Sequence, residues 1–117
     1  MSKGKYKPRP DIVVRCGDVG AGNFITDPLV VVEVLSPSTM DDAKDEMKDR
    51  GRKLEFYRTL QTLQHIVLVY QDAMRVEHYD RTESGWELDT LSTPDAVLDL
   101  TCIAFEISLK EIYADAL

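Results

Sequence analysis

Two carboxylates inside apolar sequence runs are the residues best suited to binding a metal ion. Glu33 interrupts the apolar run LVVVEVL at 29–35, and Asp11 follows Pro10 at the head of the run DIVVRC at 11–16. A lone charge in an apolar central strand is costly unless it is paired or binds a cation, so we expect Glu33 to have a partner. The alternatives are a glutamate on a solvated sheet face and, for Asp11, a turn-forming aspartate after proline.

The donor chemistry of these two residues indicates which ion they would bind. Carboxylate oxygens at the ends of adjacent strands suit Mg²⁺, which binds one or two carboxylates, keeps several waters and takes further ligands from phosphate. A lysine is also available on the predicted helix. At about 100° per residue, Lys53 lies at the border of the apolar stripe, so its ammonium can reach a cleft while its stem packs on the core side. The alternative for Lys53 is a salt bridge with Asp49.

Hydrophobic patterning predicts the elements that must position these residues. Strands are predicted over 11–16, 29–35, 65–71, 75–80, 86–91 and 96–100, with irregular structure from 101 to 107. One amphipathic helix should begin at Thr39 or Asp41 and end near Gln61, and a capping box formed by Ser108 and Glu111 should begin a last helix. This order indicates a mixed α/β protein with one mixed sheet flanked by helices.

Length and charge limit the function classes. The 117 residues are enough for one domain, predicted over 1–117, and the net charge of −7 gives no chain-wide attraction to nucleic acid. The charge is unevenly placed, because residues 1–15 carry five bases and one acid whereas residues 71–117 carry three bases and eleven acids. We expect residues 1–9 to be a basic, flexible arm, with a phosphate-contacting arm as the alternative.

The cysteines, the histidines and the hydropathy add three further expectations. Cys16 and Cys102 fit no metal-ligand spacing and are predicted to be small buried residues in the reducing cytoplasm rather than a disulfide. His65 and His78 each stand alone in a strand pattern, so they are predicted to be edge or core residues without a third ligand. No apolar run approaches the length of a membrane span, so neither secretion nor membrane insertion is expected.

Several motifs occur together in a fixed order from about Pro8 to Tyr113. They are PRPDIVV, DPLVVVEVLSPST, DRGRKLEFYR and LQHIVLVYQD, followed by RVEHYDR and a tryptophan strand. This series resembles the Uma-two family of restriction-endonuclease-like proteins in the PD-(D/E)XK nuclease superfamily. The resemblance implies a restriction-endonuclease-like α/β core and metal-dependent hydrolysis of DNA.

The resemblance also implies roles for individual residues. Asp11 corresponds to the first acid and Glu33 to the second, so both would bind Mg²⁺ or Mn²⁺. The superfamily lysine normally stands two residues beyond the glutamate, where this chain has Leu35. Lys53 is then the candidate replacement, and Lys44 and Lys48 are alternatives on the same helix.

Two readings of the function remain open from the sequence. The first is a metal-dependent DNA endonuclease, and the second is an inactive binding or assembly module that keeps the nuclease fold. The second is favoured by the net charge, by Leu35, and by the expectation that this chain lacks the additional N-terminal segment that family members normally carry before the PD strand. Because two helices cover about one sheet face, we also expect a homodimer.

Overall fold

The computed structural model describes residues 10–15, 28–35 and 43–114, with backbone only for 15 and 43–49. The predicted arm at 1–9, the helix cap at Thr39 or Asp41, and Cys16 lie outside these residues. The elements are β1 (Ile12–Arg15), β2 (Pro28–Leu35), α1 (Ala43–Arg58), β3 (His65–Tyr70), β4 (Val76–Thr82), β5 (Gly85–Leu91), β6 (Val97–Leu100), β7 (Phe105–Ser108) and α2 (Leu109–Ile112).

A five-stranded mixed sheet in the order β1-β2-β3-β4-β5 forms the centre of the molecule. β2 and β3 are parallel, with Val30 opposite His65, and the other neighbours are antiparallel. A parallel pair requires a long crossover connection, which α1 provides. The predicted mixed α/β class is therefore confirmed.

The two faces of the sheet carry separate apolar clusters, because successive strand side chains point to opposite sides. On the side that we call the helix face, Val31, Ile66 and Leu68 pack with Tyr57 of α1 and with Leu63. On the opposite side, the hairpin face, Val30, Val67 and Val76 pack against β6, β7 and α2. Glu33 shares the helix face with Val31, so α1 is the element that covers it.

The helix α1 ends at Arg58, three residues before the predicted end near Gln61, and its last turn is tightly wound. The N–H groups of Thr59 and Leu60 bond three residues back, which closes the helix at Arg58 with a 3₁₀-type turn. The Arg81 guanidinium from β4 donates to the carbonyls of Arg58, Leu60 and Gln61. A cationic side chain thus satisfies acceptors that a helix end leaves unpaired.

The region after β6 differs from the sequence prediction. Residues 105–107, predicted to be irregular, form most of β7, which pairs with β6 as a second, two-stranded sheet. The link is a 3₁₀ turn that ends at Ala104 in the left-handed conformation (φ 53°), a tight reversal made without glycine. The expectation of one sheet was therefore wrong. The predicted Ser108 cap of α2 is confirmed, since its hydroxyl accepts the Glu111 N–H.

The structure bears on the expectations for Cys102 and for membrane-spanning segments. Cys102 is a free thiol, as expected, but it is exposed rather than buried, because it lies in the 3₁₀ turn outside both clusters. None of the helices that the structure describes is long and apolar enough to cross a membrane.

Candidate active site

Glu33 is a buried carboxylate in the second strand of the sheet. Only 4% of the residue is exposed, so the solvated-face alternative for Glu33 is wrong. Its neighbours Val32 and Val34 point to the opposite face. A carboxylate at this depth requires partners, and α1 supplies two of them.

Lys53 and Tyr57 hold Glu33 from one face of α1. They are four residues apart, which places them one above the other on the helix. The Tyr57 hydroxyl donates to Glu33 Oε2 at 2.6 Å, and Lys53 Nζ lies 3.4 Å from Glu33 Oε1. Lys53 keeps 29% of its side chain exposed, so its ammonium lies between the buried carboxylate and solvent.

Asp11 lies beside Glu33 at the sheet edge. β1 pairs with β2 through Ile12 opposite Val32, so the next position in the same register places Asp11 opposite Glu33. Its Oδ2 accepts the backbone N–H of Val34 at 2.6 Å. The carboxylate is thus fixed against the neighbouring strand, which differs from the turn-forming role that the residue type alone allowed.

The donor set at this site consists of carboxylate oxygens. Asp11 is exposed, and the buried Glu33 contacts the partly exposed Lys53. A carboxylate oxygen that accepts one hydrogen bond keeps a lone pair for another ligand. Hard oxygen donors without sulfur or imidazole suit Mg²⁺ or Mn²⁺ rather than softer metals. The two residues therefore fit a divalent ion, and the position two beyond Glu33 offers only the apolar Leu35 of the helix face.

A second cationic group lies one helical turn before Lys53, and the sequence analysis missed it. Arg50 Nη1 donates to the Tyr70 hydroxyl at 2.8 Å, and that hydroxyl donates to Glu77 at 2.9 Å. Arg75 completes the network through Glu77 at 3.2 Å. Burial, followed by the hydrogen bond and charge of Glu77, raises the pKa of Tyr70. The i, i+3 spacing of Arg50 and Lys53 is the signal that was available.

Two histidines expected to stand alone are in fact in contact on the hairpin face. His65 Nδ1 lies 2.8 Å from His78 Nε2 and 3.2 Å from Asp80 Oδ1. Both rings are buried, as a core role predicts. The expectation that no third ligand accompanies them was wrong, because the antiparallel register sets His65 opposite Asp80 and brings residues 15 apart in sequence together.

The fold defines a class of protein. The mixed α/β architecture with its five-stranded mixed sheet matches a solved restriction-endonuclease-like fold. A sequence profile of the Uma2 family, described as "Putative restriction endonuclease", matches residues 2–110. The chain therefore belongs to the Uma2 family, which is the Uma-two family indicated by the sequence motifs.

The chain is also similar to three known proteins. Two are uncharacterised proteins of Synechocystis sp., one 35% identical over 107 residues (89% of this chain, 53% of the relative) and one 33% identical over 78 residues (66% and 41%). The third is a crystal structure of a "putative nuclease belonging to DUF820" from Anabaena variabilis, with a TM-score of 0.52 and 20% identity over 80% of this chain and 48% of that one. The chain spans about half the length of the curated relatives that it matches.

Proposed function

We propose that this chain is a metal-dependent endonuclease that hydrolyses phosphodiester bonds in DNA. The observation that carries the proposal is the buried Glu33, held by Lys53 and Tyr57 and placed opposite Asp11. A buried carboxylate held by a lysine, with a second carboxylate on the neighbouring strand, is suited to metal chemistry. Membership of a family described as a restriction endonuclease supports the same reaction class.

Asp11 and Glu33 are the residues that would hold the ion, Mg²⁺ or Mn²⁺. Such an ion lowers the pKa of a bound water and offsets negative charge on a phosphate. Tyr57 fixes the orientation of Glu33 through its hydroxyl. In this proposal Lys53 orients the attacking water or offsets charge that develops on the phosphate, because its partly exposed ammonium lies beside the carboxylate.

DNA is the proposed substrate in spite of the net charge of −7. Around the site the balance is reversed, since residues 50–58 contain four bases and a single acid, Glu55. Arg58 lies over the Tyr79 ring at 5.3 Å and Arg81 over the Trp86 ring at 4.7 Å, which orders these two guanidinium groups on the helix face. Ordered cations on the same sheet face as Glu33 are suited to contacting phosphates.

A second candidate function is a binding or assembly module that keeps the fold without cleaving DNA. The acidic C-terminal half favours it, because residues 71–117 carry eleven acids against three bases and repel a phosphate backbone. The two candidates differ in one measurable respect, which is metal-dependent turnover.

A cleavage assay tests the proposal. Supercoiled plasmid is incubated with the purified chain in Mg²⁺ or Mn²⁺, and nicked and linear products are quantified with and without EDTA. We expect metal-dependent cleavage by the parent and loss of cleavage by Glu33→Gln. Lys110→Ala is the matched control, because it removes an exposed lysine from α2, on the other side of the sheet, and should cut at the parent rate.

The outcomes separate the two functions. Cleavage that persists in Glu33→Gln would show a contaminating nuclease or a different site. No cleavage by the parent, together with DNA retardation in a gel-shift assay, would favour the binding module. The site proposal can also be tested without turnover, since calorimetric heats of Mn²⁺ binding that are unchanged by Glu33→Gln would remove Glu33 from the metal site.

A further inference from the structure

A cluster of three potential metal ligands lies on the hairpin face, away from Glu33. It consists of His65 of β3 and His78 and Asp80 of β4, whose ligand atoms all lie within 4.8 Å of one another. His65 is 1% and His78 7% exposed, whereas the Asp80 side chain is 42% exposed. The two imidazoles are therefore fixed by the core, and the carboxylate opens the cluster to solvent.

The electrostatic surroundings of the cluster favour a cation. The charged groups that act on His78 are Asp80, Asp89 and Asp99, and on His65 they include Asp80 and Asp99. Burial nevertheless lowers the pKa of both imidazoles, so they are neutral at pH 7 and present lone pairs. Neutral imidazole is the form that binds metals.

Hydrogen bonding alone does not satisfy the cluster. If His65 carries its proton on Nδ1, that single proton faces both His78 Nε2 and Asp80 Oδ1, so it cannot fully satisfy both acceptors. If the proton is on Nε2, the Nδ1 lone pair faces the Asp80 carboxylate at 3.2 Å. A cation between the three ligand atoms removes this repulsion.

We propose that His65 Nδ1, His78 Nε2 and the Asp80 carboxylate form a second metal site, which binds Zn²⁺ or a similar transition metal. Two imidazoles and one carboxylate are a common three-residue zinc set, with the fourth position taken by water. Imidazole nitrogen also selects Zn²⁺, Co²⁺ and Ni²⁺ over Mg²⁺. The site differs from the carboxylate pair in ligand type and in sheet face.

The bound ion would join β3 to β4. The ligand atoms belong to the hairpin face, whereas Glu33 and Lys53 belong to the helix face. The site therefore does not depend on the proposed nuclease function. Binding to the folded state alone would raise the unfolding midpoint as the ion concentration increases.

The experiment is a Zn²⁺ titration followed by calorimetry, with Co²⁺ as a spectroscopic probe of tetrahedral nitrogen ligation. Both are carried out in a Cys16→Ser/Cys102→Ser background, so thiols cannot account for binding. We expect one ion per chain that excess Mg²⁺ does not displace, together with visible Co²⁺ bands. Asp80→Asn, a mild change at a partly exposed position, and His78→Gln should each weaken binding at least as much as the roughly 10–100-fold loss caused by removing outer-shell partners.

Glu55→Gln is the matched control, because it removes an exposed carboxylate from α1, which covers the other face, and should leave Zn²⁺ affinity unchanged. Histidine ¹⁵N NMR provides a direct measurement, since Zn²⁺ should place the His65 proton on Nε2 and shift the resonance of Nδ1. Absence of stoichiometric binding by the folded parent would overturn the proposal. Binding that survives both Asp80→Asn and His78→Gln, with circular dichroism showing them folded, would also overturn it.

Discussion

The hydroxyl of Tyr57 lies 2.6 Å from Oε2 of Glu33, joining the crossover helix to the second strand of the sheet through a buried carboxylate. Tyr57 is 2% exposed, so its ring is part of the apolar cluster while its hydroxyl reaches the site. The same residue therefore packs in the core with its ring and donates a hydrogen bond to Glu33 with its hydroxyl.

Tyr57→Phe should destabilise the protein by about 1.5–3 kcal/mol, the usual range for a lost hydrogen bond to a charged group. The ring packing is retained, so the loss arises from the buried Glu33 oxygen left without its donor. Urea unfolding measures the change. Tyr79→Phe, which removes a hydroxyl from a half-buried tyrosine on the same face, is the control and should cost less. An equal loss of unfolding free energy in Tyr57→Phe and Tyr79→Phe would contradict a special stabilising role of the hydrogen bond to Glu33.

Lys53→Ala should abolish DNA cleavage and lower stability by about 1–3 kcal/mol, because it removes a partner from a nearly buried carboxylate. The sequence predicted a smaller stability loss, on the basis of an exposed pair with Asp49. Plasmid cleavage and urea unfolding are measured on the same sample. Lys48→Ala is the comparison, since the sequence offered Lys48 as an alternative. Parent-rate cleavage by Lys53→Ala and none by Lys48→Ala would reverse the assignment.

The strands near the site were predictable because their sequence signals are local. The run at 29–35 is apolar and β-branched, and it forms β2 almost residue for residue. Glu33 stood out for the same reason, since a charge in such a run requires a partner. The angular position of Lys53 on the predicted helix pointed to that helix as the source of a cationic partner for Glu33. The catalytic roles of Asp11, Glu33 and Lys53 remain predictions.

The rest of the site depends on pairings that a single sequence does not encode locally. The network from Arg50 to Tyr70 and Glu77 joins a helix to two strands, 20 and 27 positions along the chain. His65 and His78 meet only because β3 and β4 pair in one register. β7 is short and half exposed, so its weak alternation was not distinguishable from an irregular segment.

Two glycines should respond in opposite ways to alanine. Gly85 begins β5 with φ +125°, a conformation that L side chains rarely adopt. Gly85→Ala should therefore lower the free energy of unfolding by about 1–3 kcal/mol through backbone strain, although no atom lies near the new methyl group. Gly51 lies exposed in α1 with open space around its Cβ position, so Gly51→Ala should stabilise by about 0.5–1 kcal/mol. Thermal unfolding checks both. A neutral Gly85→Ala would show that the turn relaxes.

Self-association is expected from the hairpin face. Among the described residues, β1 has no partner on its outer edge, and beside it lies an apolar groove of about 810 Å³ whose lining includes Ile12 (52% exposed) and Phe105 (46%). We propose a second copy of the chain as the occupant, because an open strand edge continuous with an apolar groove can pair with its own two-fold copy. Light scattering at tens of micromolar should give twice the 13.3 kDa chain mass.

Ile12→Asp should shift that equilibrium to monomer by placing a charge beside the groove. Leu88→Asp is the control, because Leu88 is similarly exposed (49%) but belongs to β5 at the opposite edge of the sheet. A parent that is monomeric throughout, or equal loss of dimer in both variants, would contradict the assignment.

Stability should fall as the pH drops below about 6.5, because burial lowers the folded-state pKa of His65 and His78 from that value. Between the two pKa values the unfolded state binds more protons, so the stabilising contribution is complete above the unfolded pKa and is lost as pH falls toward the folded one. Each histidine contributes a slope of up to about 1.4 kcal/mol per pH unit. Asp80, Asp89 and Asp99 act on the pair and oppose the shift without reversing it.

Urea unfolding at a series of pH values between about 5 and 7.5, in the presence of EDTA, measures this slope. The chain contains only these two histidines, so no other imidazole contributes. His78→Gln removes one of the two titrating groups and also the charge that helps to lower the pKa of His65, so it should reduce the slope. A slope that is the same in the parent and in His78→Gln would show that the pH dependence comes from the carboxylates rather than from the buried pair.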